Sequence, residues 1–533
     1  MSDLRRIATI NIGTNTFYNN RTIVNVDCNY TPWQNNSMYN AFYYCTNLKS
    51  VNNINNNVTN MAYAFHNCKG LVNAPIIPNS VTTLSSAFRI CNSLVDAPTI
   101  PNSVIYMDFT FTDSVNLVNA PTIPSSVTTL ASAFAGCYNL INVPSIPSSI
   151  LGTGLYNTFR NCKGLVNAPT IPDNINTGDF YHTFYGCTNL KNVTLPNRSL
   201  NLYETFTGCT SLENITLPNS IVSGGLTRTF MGCYNLKNVE IPNNYTGSLT
   251  GTFINCHNIT DINIPSGVNS LSSQPFAHCY NLVNVSPIPN GVTELFYTFG
   301  DCYNLRNTPS IPVSVTNMYQ AFYNCFNLDY IQEIPSGVKD LGYCFYNCNF
   351  NTLPDFSNAT NVTSLFYTFG RSKSLVTIQG NIISPNLTDM SQTFYFCNNL
   401  TTVNINITSP NLTSMSSTFY NCNNMTGDIY IHSENISSAT YCFWGTLTKN
   451  VYIPFQNNGV NTKTYNTFTS AGYKTDGTVN GVYLIDINDI PPAPSGQIDV
   501  TGYSYTQDQD GVVTLTDAPL DGNGEVTFPN IEE

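Results

Sequence analysis

Charged residues are scarce in this chain. Only 9% of its 533 residues are Asp, Glu, Lys or Arg, whereas 42% are apolar. The 19 basic residues are outnumbered by 31 acidic ones, the formal net charge is −12, and no basic run occurs. Binding to a phosphate backbone needs clustered Lys and Arg, so this balance argues against nucleic acid as a partner. The surface is expected to consist mainly of neutral amides, hydroxyls and phenols.

Long apolar runs are also missing. No stretch approaches the roughly 18 consecutive apolar residues of a membrane-spanning helix. The first residues, MSDLRRIATINIGTNTFY, contain two arginines but lack the apolar segment of about 7 to 15 residues that marks a secretory signal. We therefore expect no membrane insertion, and a chain that stays soluble in the compartment where it is made.

Catalytic motifs are absent as well. The sequence has no glycine-rich phosphate loop, no H-E-x-x-H and no G-x-S-x-G. The five histidines fall at different phases of the repeat described below, and we expect exposed turn residues there: His66, His182, His257, His278 and His432. The sequence thus predicts no enzyme, no cofactor and no metal site.

What the chain does contain is one unit repeated about nineteen times. Phenylalanines recur every 22 to 25 residues from Phe42 to Phe468, and positions in a unit are counted here from that residue. Position +3 is Cys in fifteen units, position +6 is usually Leu, and an Ile-Pro pair often follows. Four or so apolar anchors contribute roughly 6–12 kcal/mol per unit, less than the cost of ordering about 23 residues. Units must therefore stack, and we expect one short strand per unit, around Leu71 to Pro78, in a continuous parallel sheet.

The unit resembles the BspA-like, or Treponema-type, leucine-rich repeat. The stretches AFHNCKGLVNAPIIPNSVTTL (64–84) and AFAGCYNLINVPSIPSSI (133–150) carry the resemblance, which covers residues 40–470 or so. It implies a leucine-rich-repeat solenoid, mainly β with short turns and helical pieces, and a role in surface adhesion or recognition without catalytic residues. The chain departs from the pattern at Ser114 and Ser372, where serine replaces cysteine, and after Phe443.

Repetition places one cysteine per coil at one angular position. Buried free thiols behave as small apolar residues, so a reduced structural ladder is the favoured interpretation, with scattered disulfides or a metal as alternatives. The ladder residues are Cys68, Cys91, Cys137, Cys162, Cys187, Cys209, Cys233, Cys256, Cys279, Cys302 and Cys325. Cys28, Cys344 and Cys442 lie outside it.

Two further positions carry polar or aromatic side chains. Position +8 is usually Asn, for which we favour amides hydrogen-bonded along the solenoid. Position +4 carries the candidate binding residues Tyr138, Tyr234, Tyr280, Tyr303 and Phe326. Tyrosine offers a rigid amphipathic face for a protein or a cell-surface glycan, although shielding of the turn explains the same pattern.

The ends differ from the repeats. Residues 1–40 are expected to form an N-terminal cap or attachment segment, and residues 41–485 the solenoid with degenerate last units. Residues 486–496 predict a proline-rich linker, and residues 497–533 a small acidic β appendage.

Three functions fit these features. The first is a bacteriophage virion surface component, such as a fibre, spike or decoration. Virion proteins leave the cell by lysis and need no signal, and the terminal segments would contact virion neighbours. The alternatives are a bacterial or protist cell-surface adhesin and an intracellular protein-binding scaffold.

Overall fold

The repeat of about 23 residues forms one coil of a solenoid in the computed structural model of the chain. The structure describes residues 12–28, 36–331, 333–448, 450–457, 459–475, 477, 482–489, 505–507 and 513–515. Within these ranges successive coils lie directly on one another, and only one α-helix occurs. The predicted fold class, a mainly β repeat solenoid, is confirmed.

A column of stacked phenylalanines forms the centre of the core. From Phe17 to Phe443, each repeat phenylalanine lies 5.2–5.8 Å from the next between ring centroids. The leucine at position +6 is also buried, as at Leu71 and Leu94. Because each ring covers its neighbour, the core is continuous along the axis and no coil has a core of its own.

Each phenylalanine lies in a tight turn with a left-handed residue on either side, at positions −2 and +2. Tyr63 and Asn67, around Phe65, have φ of 56° and 61°. Amides in the turn alternate between two kinds of acceptor: Phe65 N donates to Ala87 O in the next coil, and His66 N donates to Tyr63 O in its own coil. Half of the backbone groups in the turn thus depend on the neighbouring coil.

The expected strand in every coil is mostly wrong. Residues 71–78 contain no strand, and most coils are joined by isolated parallel bridges, such as that between Asp96 and Asn119. Proline explains the difference, because Pro75 lies inside the segment as well as Pro78 at its end. Proline has no amide hydrogen to donate, so the ladder stops after one pair.

Regular strands appear in fewer places. They are β1 (Asn25–Asp27), β2 (Ser50–Asn52), β3 (Gly247–Ser248), β4 (Asp261–Ile262), β5 (Val268–Ser270), β6 (Asn284–Val285), β7 (Thr377–Ile383), β8 (Thr402–Thr408), β9 (Asp428–Ile431), β10 (Asn450–Ile453), β11 (Gln456–Asn457), β12 (Val460–Asn461), β13 (Tyr483–Asp486), β14 (Tyr505–Gln507) and β15 (Val513–Leu515). The largest sheet is parallel, in the order β13-β10-β9-β8-β7. Prolines are absent from β7 and β8, and each of these strands reaches seven residues.

A helix replaces the repeat turn at the last phenylalanine. Phe468 was predicted to lie in a degenerate repeat unit, but it lies in α1 (Lys463–Ser470), which Thr462 caps at its N-terminus. Its ring stacks on Phe443 at 6.2 Å with an interplanar angle of 29°, a looser fit than between true coils. The unit has lost the Cys and Leu that define the turn, so the local sequence follows helical capping instead.

The segment predicted as an N-terminal cap follows the same path as a coil where it is described. Phe17 stacks on Phe42, and β1 pairs in parallel with β2. The count of nineteen units, which begins at Phe42, therefore omits the coil that contains Phe17.

At the other end, β14 and β15 form an antiparallel pair within the predicted acidic appendage. The predicted linker beyond residue 489 and the rest of the appendage lie outside the described residues.

Candidate functional site

Five rings at position +4 form a continuous stack on the surface of consecutive coils. Centroid distances are 4.7 Å from Tyr234 to His257, 4.4 Å from His257 to Tyr280, 4.7 Å from Tyr280 to Tyr303 and 4.7 Å from Tyr303 to Phe326. Interplanar angles do not exceed 18°. We call these five residues the aromatic column.

The column presents ring edges rather than ring faces. Both faces of Tyr280 are covered, one by His257 and the other by Tyr303. Only the terminal rings lack a ring neighbour on one side, and Tyr234 and Phe326 are the most exposed members, at 44% and 43%. The accessible part of the column is therefore a strip of ring edges and phenol groups.

The structure brings four of the five predicted aromatic residues together and leaves Tyr138 apart. Tyr138 lies several coils away, with the ammonium group of Lys163 4.8 Å from its ring centroid. His257 was missed as a member of the column, although it occupies position +4. Including histidine among the aromatic residues at position +4 would have identified it.

A carboxylate lies next to the column. Asp301 is buried and accepts hydrogen bonds from Tyr297, from Asn324 Nδ2 at 2.9 Å, and from His278 Nδ1 at 3.1 Å. Burial raises the pKa of Asp301, but the hydrogen bonds from His278, Tyr297 and Asn324 outweigh it and hold the pKa below its ordinary value. Burial, and then the hydrogen bond to Asp301, raises the pKa of Tyr297, so the phenol stays protonated.

A second histidine–carboxylate pair lies on other coils. His182 Nε2 lies 2.7 Å from Glu204, which also contacts Arg228 at 3.3 Å. The expectation that the histidines are exposed turn residues is therefore wrong for His66, which is buried, and for His182 and His278, which pair with carboxylates. Spacing within one unit did not show these pairs, because the partners stand on adjacent coils.

Tyrosines also stack at two other positions of the repeat turn. Tyr323 stacks on Tyr346 at 5.2 Å, and Tyr343 stacks on Tyr367 at 4.6 Å. These positions, +1 and −2, were not singled out from the sequence, although the same register counting applies to them. Their rings are half-buried, so they pack the turn as much as they expose surface.

All fifteen cysteines at position +3 share one geometry. Each Sγ donates to the carbonyl oxygen of the phenylalanine in the preceding coil, over 3.0–3.2 Å. Burial raises the pKa of Cys187 to about 12, which opposes formation of a reactive thiolate. Cys344 and Cys442 occupy position −1, where most other coils carry Thr or Ala, and both are buried.

The asparagines at position +8 form amide ladders in several places. Asn119 Nδ2 donates to Asp96 Oδ1 at 2.6 Å, and Asn142 Nδ2 donates to Asn119 Oδ1 at 2.6 Å. The favoured packing interpretation describes these coils well.

The described ranges contain neither a metal-binding cluster nor a helix that could span a membrane. No group of three or more His, Cys, Asp or Glu there has the arrangement of a metal site. Nor does any described helix have the length and apolar character needed to cross a membrane.

A known repeat family matches most of the chain. The family described as "BspA type Leucine rich repeat region (6 copies)" matches residues 7–117, 106–223, 181–306, 295–425 and 342–471. No curated protein matches the chain. Similar solved structures include a leucine-rich repeat protein from Bacteroides ovatus, with 20% identity, 74% of this chain and 82% of that chain covered, and a TM-score of 0.34.

Two others come from different bacteria. The T. pallidum leucine-rich repeat protein has 25% identity, with 31% of this chain and 72% of that chain covered and a TM-score of 0.23. A leucine-rich cell surface protein from Faecalibacterium prausnitzii has 18% identity, with 71% and 82% covered and a TM-score of 0.28.

Proposed function

This chain belongs to the family of BspA-type leucine-rich repeat proteins, and we propose that it binds another protein through its aromatic column and catalyses no reaction. The observation that carries the proposal is the unbroken stack from Tyr234 to Phe326 on the surface of the solenoid. A preformed stack loses little conformational entropy when a partner binds, and tyrosine is enriched at protein interfaces.

The geometry favours a protein over a glycan at this surface. A sugar ring packs its C–H groups on an aromatic face, but the inner faces of the column are covered by neighbouring rings. The exposed ring edges carry the positive part of the aromatic quadrupole, and the phenols donate hydrogen bonds. Both suit the carbonyl oxygens and side chains of a polypeptide.

Binding of the purified full chain to the surfaces of its source cells, and of host cells if the source is a virus, tests the proposal. We expect binding to fall about tenfold or more when Tyr280→Ala and Tyr303→Ala are combined, because a central interface residue is commonly worth about 2 kcal/mol. The matched control removes another stacked pair, Tyr430 and Tyr452, whose centroids lie 4.5 Å apart on β9 and β10. Pretreating the target surface with protease should abolish binding.

Two outcomes would contradict the proposal. One is equal loss in the column variant and the control variant. The other is binding through the column that resists protease but disappears when periodate oxidises surface sugars, since the column would then bind a glycan.

The location of the protein is proposed separately from its partner. A virion surface component is the setting that we propose first, with a cell-surface adhesin and an intracellular scaffold as alternatives. What supports a surface setting is the adhesion and recognition role implied by the repeat family. An antibody to the solenoid distinguishes the three settings. Stoichiometric signal in purified particles fits a virion component, signal in cell envelopes fits an adhesin, and signal in the cytoplasm fits a scaffold.

A further inference from the structure

A groove distinct from the aromatic column crosses five consecutive coils between Asn192 and Ser286. Its volume is about 1280 Å³. The column lies at position +4, whereas the groove is lined by positions from +8 onward, so the two surfaces are formed by different parts of the same coils.

The residues at position +10 change where the groove begins and ends. In the five coils before it the position is proline: Pro75, Pro98, Pro121, Pro144 and Pro169. In the five groove coils it is Thr194, Thr216, Glu240, Asn263 and Ser286. In the next coil it is proline again, at Pro309. Proline at +10 therefore borders the groove on both sides, although the coils from Phe322 onward also lack proline at this position.

Exposed and buried side chains alternate along each coil, and the exposed ones point into the groove. In the second groove coil, Asn214 and Thr216 are exposed, whereas Ile215 and Leu217 are buried. Each groove coil thus offers two polar side chains, at +8 and +10, above an apolar floor. Repeated on five coils, they form a two-column polar lattice.

The side chains at +8 differ along the groove, because Asn192 donates to Asn167 and Asn284 donates to Asp261, whereas the amides of Asn214 and Asn238 are open. Outside it, Asn142 bonds to Asn119, and Asn119 bonds to Asp96. Within the groove, the described hydrogen bonds include none from the side chains of Asn214 and Asn238, although both stand in the same register. Their donors and acceptors face solvent at a spacing of one coil.

We propose that this groove binds a neutral glycan chain. A sugar hydroxyl donates and accepts hydrogen bonds, and a carboxamide or a threonine hydroxyl complements both functions. The groove carries the carboxylates of Glu240 and Asp261 and its lining contains no Lys or Arg, which disfavours acidic glycans. Its lining also contains no Tyr, Trp or Arg, the side chains that anchor most protein partners.

An oligosaccharide array probed with the full chain tests this assignment. The array carries neutral oligomers of glucose, galactose, mannose and N-acetylglucosamine beside sialylated and uronic-acid oligomers. We expect binding to at least one neutral oligomer, and a loss of about tenfold or more in the variant that combines Asn214→Ala and Asn238→Ala, since each amide supplies hydrogen bonds worth about 1 kcal/mol.

The matched control combines Asn119→Ala and Asn142→Ala, which lie at the same register outside the groove. It should keep full glycan binding, as should the column variant with Tyr280→Ala and Tyr303→Ala. Binding to no neutral oligomer, preference for acidic oligomers, or equal loss in the control would overturn the proposal. Capture of a peptide in the groove, competing with no sugar, would do the same. Because the column variant serves as a control here, failure of the groove and failure of the column are distinguishable.

Discussion

The Sγ atom of Cys68 lies 3.0 Å from the carbonyl oxygen of Phe42 in the preceding coil and donates a hydrogen bond to it. The bond joins the two most regular positions of the repeat, because the phenylalanine supplies both the stacked ring and the carbonyl that the next cysteine reaches. A thiol at this place fills a small apolar space and satisfies a buried acceptor with one atom. The cysteine pattern is therefore explained by the contact between coils.

The two coils with serine at this position test that account. Ser114 Oγ donates to Phe88 O at 2.7 Å and accepts from Cys91 N at 3.0 Å. Ser372 Oγ is buried and makes no hydrogen bond in the described structure. We expect Ser372→Cys to raise the free energy of unfolding by about 1 kcal/mol, because an unpaired buried hydroxyl is costly, and Ser114→Cys to give no gain. Urea denaturation followed by circular dichroism, under reducing conditions, measures both. Equal changes in the free energy of unfolding for Ser372→Cys and Ser114→Cys would show that the hydrogen bond from this side chain to the carbonyl is unimportant.

Backbone strain at position +2 gives a second prediction. Most coils carry Asn or Gly there, but Ile90 adopts φ of 61°, where a β-branched residue is strained. Left-handed backbone costs an ordinary residue about 1–2 kcal/mol and asparagine less, so Ile90→Asn should stabilise the chain by about 1 kcal/mol. The control, Ile76→Asn, replaces an isoleucine that is 89% exposed and lies outside the left-handed region. A lower unfolding midpoint for Ile90→Asn than for the control would contradict the strain argument.

The repeat period, the buried Phe and Cys positions and the stacked +4 rings were predictable because each depends on residues at one register. The histidine–carboxylate pairs were not, because Asp301 meets His278, and Glu204 meets His182, only across the interval between coils. The groove was also missed, because it is formed by side chains of five successive coils and not by any one residue. Helix α1 follows from local capping at Thr462, which a count of phenylalanines overlooks.

Capping at Thr462 predicts how the C-terminal coils respond to substitution. Thr462 Oγ1 accepts a hydrogen bond from Tyr465 N at 3.1 Å. Thr462→Ala should destabilise α1 by about 1 kcal/mol, and amide hydrogen exchange should accelerate in residues 463–470 but not around Phe65. Thr469→Ala is the control, because the Thr469 hydroxyl bonds only within the helix, to Tyr465 O and Asn466 O. Uniform acceleration along the solenoid would mean that the ends and the middle unfold together.

Acid sensitivity should arise in part from His66. The imidazole stacks on Tyr43 at 4.6 Å, and its Nδ1 is buried with no hydrogen-bond partner among the described residues. Burial, and then the nearby charge of Arg89, lowers the pKa of His66 from 6.5 to about 4. As pH falls below 6.5, His66 binds a proton in the unfolded chain but not in the folded chain. The free energy of unfolding is therefore highest above pH 6.5 and declines until about pH 4.

Replacing the imidazole with a ring that cannot titrate isolates this effect. His66→Phe keeps the stack on Tyr43 and removes the proton site, so its advantage in free energy of unfolding over the natural chain should grow between pH 6.5 and pH 4. At pH 8 the two chains differ only in packing, and that difference is the baseline to subtract. Parallel pH profiles over this range would show that His66 protonates as readily in the folded chain as in the unfolded one, and that the turn around Phe65 opens to admit water.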